Sequence, residues 1–93
     1  MARAELEVFV DEETGLIYYF KYDETETDRL HVEVRGASVE SAIATHRSGN
    51  SVVWNPERRR WETIGDEFGV YWALYHEQAG HIFVISCFRL EES

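Results

Sequence analysis

The sequence predicts an α+β domain with a mostly antiparallel sheet and one short helix, in the order β-β-β-α-β-β-β-β. Most segments between turn residues alternate apolar and polar side chains, which is the two-residue period of a strand. One segment, residues 38–48, changes to a helical period. The 93 residues suffice for one domain with one modest core, so we expect 1–93 to fold as a single unit.

The first three predicted strands lie before residue 36. Glu5 to Val10 alternates strictly, and Leu16 to Tyr22 resumes the pattern after a turn that ends at Gly15. These two segments predict a hairpin. A charged loop, residues 23–28, follows it. Arg29 to Arg35 then alternates again, which predicts a third strand.

A helix is predicted where the period changes. Ser38 suits the N-cap and Glu40 suits the first turn, because both satisfy or complement the exposed N–H groups there. Gly49 suits the position just after the last turn. The apolar face of the helix comprises Val39, Ala42, Ile43 and His46.

Two more hairpins are predicted after the helix. Ser51 to Trp54 and Arg60 to Ile64 flank a turn that begins with Asn55 and Pro56. The closing hairpin spans Gly69 to Arg89, and its two dense apolar runs flank the short turn EQAG. In its second strand, alternation places Ile82, Val84 and Phe88 on one face and Phe83, Ile85 and Cys87 on the other.

The closing hairpin is apolar on both faces, so both of its faces need cover. The one predicted helix is short and covers one face only. We expect the second face to be covered either by the N-terminal hairpin folding over it or by a second copy of the chain in a homodimer.

Composition excludes several classes of protein. Three tryptophans, five tyrosines and five phenylalanines predict a folded core, and the net charge of -9 disfavours nonspecific binding of nucleic acid. One cysteine permits no internal disulfide and no cysteine-based zinc site. No apolar stretch approaches the ~20 residues that cross a bilayer, and the N-terminus lacks a signal-peptide pattern, so we expect a cytoplasmic protein without membrane contact. We find no P-loop, dinucleotide or nucleophile-elbow motif, so we expect no cofactor, and an enzyme is the less favoured reading.

Arg58, Arg59 and Arg60 form the one basic cluster, beside Trp54 and Trp61. Guanidinium groups fork phosphates and stack on indoles, which would suit a contact with a partner or with RNA. The alternative is a charged hairpin tip with the two tryptophans as a cross-strand pair in the core.

His76 and His81 flank the EQAG turn and would face each other across the hairpin, where two imidazoles could share a metal ion. Zinc sites use three or four protein ligands, so a plain hairpin end is favoured and no metal is expected. The acidic loop 23–28 lacks the glycine and the spacing of a calcium loop and is interpreted as solvated. Together with residues 11–13 it could form an acidic edge.

The order of helix, arginine-rich hairpin and closing hairpin resembles the C-terminal half of small RelE-like toxins, which are ribonucleases of toxin-antitoxin systems. The resemblance covers residues 38–89, in the segments SVESAIATHRSG, RRRWETIG and HIFVISCFR. It implies ribosome-dependent cleavage of messenger RNA by basic and aromatic side chains, at the positions Arg58, Arg60, Tyr75 and Arg89.

The leading functional hypothesis is a small acidic module that binds a protein partner, one with a basic surface, through an aromatic sheet face that includes Tyr71, Trp72 and Tyr75. Tyrosine and tryptophan supply contact area at low entropic cost, and acidic loops would steer the partner. The alternatives are the RelE-like ribonuclease and a domain that binds a small molecule in a pocket lined by tyrosines and tryptophans.

Overall fold

The computed structural model describes residues 6–48, 51–75 and 78–91, and in this part of the chain two helices pack on one face of a six-stranded sheet. The strands are β1 (Leu6–Val10), β2 (Ile17–Lys21), β3 (Ser51–Asn55), β4 (Arg60–Ile64), β5 (Phe68–Leu74) and β6 (His81–Arg89). The helices are α1 (His31–Val34) and α2 (Val39–Ser48). The sheet order is β1-β2-β6-β5-β4-β3, and every pair is antiparallel except β2 with β6. The prediction of an α+β fold with a mostly antiparallel sheet is confirmed.

The N-terminal hairpin extends the sheet and does not lie over its second face. Strand β2 runs parallel to β6, with Ile17 beside His81 and Phe20 beside Val84. This pairing satisfies backbone groups of β6 that would otherwise be exposed at an edge. The prediction that the N-terminal hairpin covers the second face is therefore wrong.

The predicted third strand is also wrong, because its centre forms helix α1. The N–H of Val34 donates to the carbonyl of Leu30 at 3.1 Å, and Tyr22 with Leu30 is an isolated strand-like bridge before the helix. Gly36 follows the helix with a φ of 89°, in the left-handed region that glycine tolerates. Leu30 and Val32 are both buried, as alternation had suggested, so burial two residues apart does not distinguish one helical turn from a strand.

Helix α2 matches the predicted helix within a residue at its ends. The hydroxyl of Ser38 accepts the N–H of Ser41 at 3.0 Å, so Ser38 caps the helix as expected. Ala42 is fully buried against the sheet. The core lies between the helices and the sheet, and it comprises Tyr18, Phe20, Leu30, Val32, Ala42, Val70, Ile82, Val84 and Cys87.

A β-bulge reverses the faces of the last strand. Tyr71 pairs with Ser86, whereas the next residue of β5, Trp72, pairs with Val84, so Ile85 is the extra residue of β6. Beyond the bulge, Cys87 points into the core together with Ile82 and Val84. The predicted grouping of Phe88 with Ile82 and Val84, and of Cys87 with Phe83 and Ile85, is therefore wrong, since strict alternation ends at the bulge.

The described helices have four and ten residues, and neither is long and apolar enough to cross a membrane.

Candidate functional site

The open face is the face of the sheet opposite the two helices. Its aromatic side chains come from three neighbouring strands and from the residues just after β5, and they are Tyr19, Tyr71, Tyr75, Phe83 and Phe88. All five are half-buried, whereas the helix-covered face contains fully buried residues such as Tyr18 and Val70. Within the described residues, the open face is a broad aromatic surface without a covering layer.

One aromatic cluster of the open face surrounds Tyr19. Its ring centroid is 4.3 Å from that of Tyr75, which in turn is 6.1 Å from that of Phe83. The hydroxyl oxygen of Tyr19 lies 2.9 Å from Nδ1 of His81, and the two rings are stacked at 5.9 Å. Strands β2 and β6 and the residue just after β5 thus present one continuous patch of rings, which is the kind of surface that forms the centre of protein interfaces.

A second cluster lies next to it, around Tyr71. The rings of Tyr71 and Phe88 are 4.8 Å apart. The Phe88 ring lies directly over Gly69, where a Cβ would be 2.5 Å from the ring atom Cζ. Glycine is therefore required at this position for the phenylalanine ring to lie flat across the neighbouring strand.

Arg60 completes the second cluster. Its guanidinium carbon lies 3.6 Å from the centroid of the Tyr71 ring, and its Nε lies 3.2 Å from a carboxylate oxygen of Glu62. The side-chain amide of Asn55 donates to the same oxygen at 3.1 Å. The positive charge of Arg60 is thus balanced within the protein, so the centre of the open face is aromatic and close to neutral.

The acidic loops lie away from the open face. Asp11 and Glu13 form ion pairs with Arg47 of helix α2, at one end of β2. At the other end of β2, Asp23 lies 2.9 Å from Nδ1 of His31 in helix α1. The two loops therefore do not form a single acidic edge.

Asp23 organises its loop by accepting hydrogen bonds. The backbone N–H of Glu26, the side chain of His31 and the backbone N–H of Thr25 all bind its carboxylate, and together they lower its pKa to about 2. These bonds use the oxygens that a calcium ion would need, which agrees with the solvated-loop interpretation.

The three tryptophans belong to the helix-covered face. Trp54 and Trp61 are cross-strand neighbours with centroids 5.2 Å apart, as the hairpin-tip alternative expected, but Trp54 is 44% exposed, so the pair does not lie in the core. Trp61 stacks on Trp72 at 5.8 Å. Trp72 meets His46 of helix α2 edge to face at 4.6 Å. Because alternation along β5 sends Trp72 to the face opposite Tyr71, the predicted site residues divide between two faces.

The remaining predicted basic residues also separate. Arg58 and Arg59 are exposed at the tip of the β3–β4 hairpin, and Arg59 has a positive φ of 53°. Arg89 lies on the helix side, where it pairs with Glu67 at 3.1 Å. Of the four positions implied by the ribonuclease resemblance, only Arg60 and Tyr75 share the open face.

His81 is engaged with Tyr19, while its proposed metal-binding partner His76 lies outside the described residues. No cluster of three or more histidine, cysteine or acidic side chains suited to a metal ion occurs within residues 6–48, 51–75 and 78–91. The expectation that no metal is bound remains a prediction.

Surface depressions offer little for a small molecule. One of about 250 Å³ is lined by Trp54, Arg59, Trp61, Ala73 and Leu74. Two others, of about 270 and 300 Å³, lie beside helix α2. These volumes are at or below the lower end of the roughly 300–1,000 Å³ typical of ligand sites. None of these three depressions is lined by both tyrosine and tryptophan side chains, and a small-molecule pocket of that kind stays a prediction.

The buried nucleophile and the buried histidine have structural surroundings. Burial raises the pKa of the Cys87 thiol to about 11, so the thiol is protonated and unreactive near neutral pH. Burial lowers the pKa of His46, whose Nδ1 lies 2.8 Å from the Tyr18 hydroxyl. Burial also raises the pKa of Tyr18 to about 12, so this phenol is protonated and can donate to a neutral imidazole.

The chain matches no known protein family, and no curated protein or solved structure is significantly similar to it. The candidate site therefore depends on the geometry of this chain alone. Sequence reasoning placed Arg60, Tyr71 and Tyr75 in a candidate binding site but missed Tyr19 and the stacking of Arg60 on Tyr71. The alternation along β2 indicated that Tyr18 and Tyr19 lie on opposite faces of the sheet. Placing Tyr19 beside the aromatic residues of β6 also required knowing that β2 pairs with β6.

Proposed function

We propose that this protein is a binding module that docks a protein partner on the open face of its sheet. The observation that carries the proposal is the aromatic surface formed by Tyr19, Tyr71, Tyr75, Phe83 and Phe88, which no described element covers. Apolar surfaces of this kind, half-exposed and without a covering layer, are uncommon on monomeric proteins and are typical of interaction sites.

The composition of the open face supports a protein partner. Tyrosine, phenylalanine and arginine are enriched in the buried centres of interfaces, where charged groups are otherwise depleted. Within the described strands, alternation places only Lys21, Arg60 and Glu62 there as full charges, and Arg60 with Glu62 form an ion pair. A partner can therefore bury the centre of this face without leaving an isolated charge.

The charge of the rest of the chain supports a basic partner. The net charge is -9, and the acidic loops at the two ends of β2, which lie away from the open face, add to the negative field of the whole protein. Such a field accelerates encounter with a positive surface and matters less for the contact itself. The partner that fits has an apolar or aromatic patch surrounded by lysine and arginine.

A photoreactive phenylalanine at position 83 tests the proposal. Phe83 lies on the open face, and Phe9 is a matched control, since its ring is partly exposed on the edge strand β1 and points to the other face, against Phe20. We expect a protein cross-link from position 83 and none from position 9. The cross-linked protein is then purified for affinity measurements.

In those measurements, Tyr75→Ser is expected to weaken binding by about 30-fold, which is the loss at a central interface residue. Phe9→Ser is expected to leave the affinity unchanged, and raising the salt concentration should slow association. Equal affinity of wild type and Tyr75→Ser would refute the proposal. A cross-link to RNA instead of protein would refute it in favour of the ribonuclease.

The RelE-like ribonuclease remains the second candidate, favoured by the presence of Arg60 and Tyr75 on one face. Stacked arginine and tyrosine are suited to holding an unpaired base and its phosphate. On this hypothesis, induced expression arrests growth of a permissive host, and Arg60→Ala relieves the arrest. Harmless expression of the wild type would exclude it.

A further inference from the structure

Strand β3 is an exposed apolar edge of the sheet. It is the last strand in the sheet order, and β4 is its one described neighbour. The exposed fractions of Val52, Val53 and Trp54 are 53%, 54% and 44%. Both its side chains and its outer backbone groups are therefore available for another strand.

The sequence of β3 lacks the features that keep edge strands apart. Soluble proteins protect such edges with charged residues, proline, bulges or very short strands. The segment SVVWN contains no charge and no proline, and all five residues pair with β4 in unbroken register. Charged residues make up 29% of the whole chain, so an uncharged edge is a local exception. The opposite edge, β1, contains Glu7.

We propose that β3 pairs antiparallel with β3 of a second copy, about a two-fold axis, to form a continuous twelve-stranded sheet. The register with Val53 opposite Val53 is self-complementary, as a two-fold interface requires. On the helix side this register sets Trp54 of each copy opposite Val52 of the other. On the open side the two Val53 side chains meet at the axis. This inference concerns a surface separate from the open face and does not rest on the proposed function.

Charge favours a second copy as the occupant of this edge. Two chains of net charge -9 repel each other overall, and β3, which has no acidic group, adds no local repulsion to their contact. Antiparallel pairing also brings the exposed Arg58 and Arg59 at one hairpin tip to the same end of the sheet as the other copy's turn with Asp66 and Glu67, in which Glu67 also pairs with Arg89. With strands ~4.8 Å apart, the two turns are ~14 Å apart laterally before their side chains extend toward each other. The two-fold axis creates this complementary contact twice.

Dimerisation at this edge joins the two open faces into one surface. Side chains keep their faces when a sheet is extended by a regular antiparallel strand, because the pleat continues across the new pair. The aromatic clusters of both copies then lie on the same side of the twelve-stranded sheet. A partner of suitable size would contact both copies at once.

The test is the mass of the full chain in solution at about 100 µM, measured by light scattering during gel filtration. The wild type should have twice the 10.9 kDa monomer mass. Val53→Lys should raise the dissociation constant at least ~100-fold, because it sets two lysines opposite each other at the axis. Val8→Lys is the matched control, since Val8 is 50% exposed on the same face of the other edge strand. It should remain dimeric.

A disulfide identifies the register. Val53→Cys should give a disulfide-linked dimer on mild oxidation, because Cβ atoms of directly opposed residues are ~4.5–5.5 Å apart and adjust to a disulfide. Val8→Cys should not, and the buried Cys87 does not compete. Circular dichroism confirms that each variant is folded. A monomeric wild type would overturn the proposal. A Val53→Lys variant that remains dimeric would also overturn it, and so would dissociation of the dimer by both Val53→Lys and Val8→Lys.

Discussion

Replacing Thr63 with valine tests the hydrogen bond that holds the central indole of the helix-covered face. Trp72 Nε1 donates to Thr63 Oγ1 at 2.8 Å, and Thr63 is fully buried. Valine fills a similar volume but cannot accept, so the indole N–H loses its partner, which costs ~1–3 kcal/mol of unfolding free energy. For a domain of this size, each kcal/mol lowers the Tm by about 4–8 °C, so we expect a fall of roughly 4 to 24 °C.

The assay is thermal and urea unfolding followed by circular dichroism, with the exposed Thr25→Val as control. A second measurement isolates the bond. In a Trp72→Phe background there is no indole N–H that could lose its hydrogen-bond partner. Thr63→Val should therefore reduce the unfolding free energy by at least ~1 kcal/mol less there than in the wild type. If Thr63→Val costs the same in both backgrounds, the loss comes from packing and the reasoning fails.

Three further predictions concern titratable groups. Burial lowers the pKa of His46 below 6.5, so its contribution to stability is complete above pH 6.5 and declines as the pH falls below that value. The unfolding free energy of His46→Gln should therefore fall less than that of the wild type between pH 7.5 and 5.5. An equal fall in both proteins would contradict this. The pKa of Asp23 is lowered from 3.8 to about 2, so its stabilisation is present above pH 3.8 and disappears as the pH falls through 2. Asp23→Asn should be less stable than the wild type at pH 7 and should lose less unfolding free energy on acidification to pH 2. The exposed Asp28→Asn should follow the wild type. With a thiol pKa of about 11, Cys87 should not react with an aromatic disulfide reagent at pH 8 until the protein is unfolded, when one equivalent should react; rapid reaction of the native protein would show that the thiol is accessible.

Apolar–polar alternation, dense apolar runs and turn residues were together sufficient to predict all six described strands within two residues of their ends. It failed at residues 31–34, where a single helical turn buries the same positions as a short strand would. In the structure the Asp23 carboxylate accepts the backbone N–H groups of Thr25 and Glu26 and lies 2.9 Å from Nδ1 of His31, the first residue of α1. The contact with His31 joins residues eight positions apart and leaves no trace in a two-residue period.

The candidate site was predicted in part. Trp54 and Trp61 were expected as a cross-strand pair, and Tyr71 with Tyr75 were expected on one face of β5, because turn position and alternation are local properties. The stacking of Arg60 on Tyr71 could not be predicted without the register between β4 and β5. The place of Phe88 needed the bulge at Ile85, which reverses every side chain that follows it.

The sequence by itself determined the strands, the capped helix and the apolar character of both faces of the closing hairpin, since these follow from neighbouring residues along the chain. Tertiary structure alone decided what lies beside and above that hairpin. The N-terminal hairpin pairs with the edge of β6, because free backbone groups there are satisfied by a strand and not by a covering layer. That pairing leaves the open face without a described cover. The uncharged strand β3 is the edge of the sheet opposite β1.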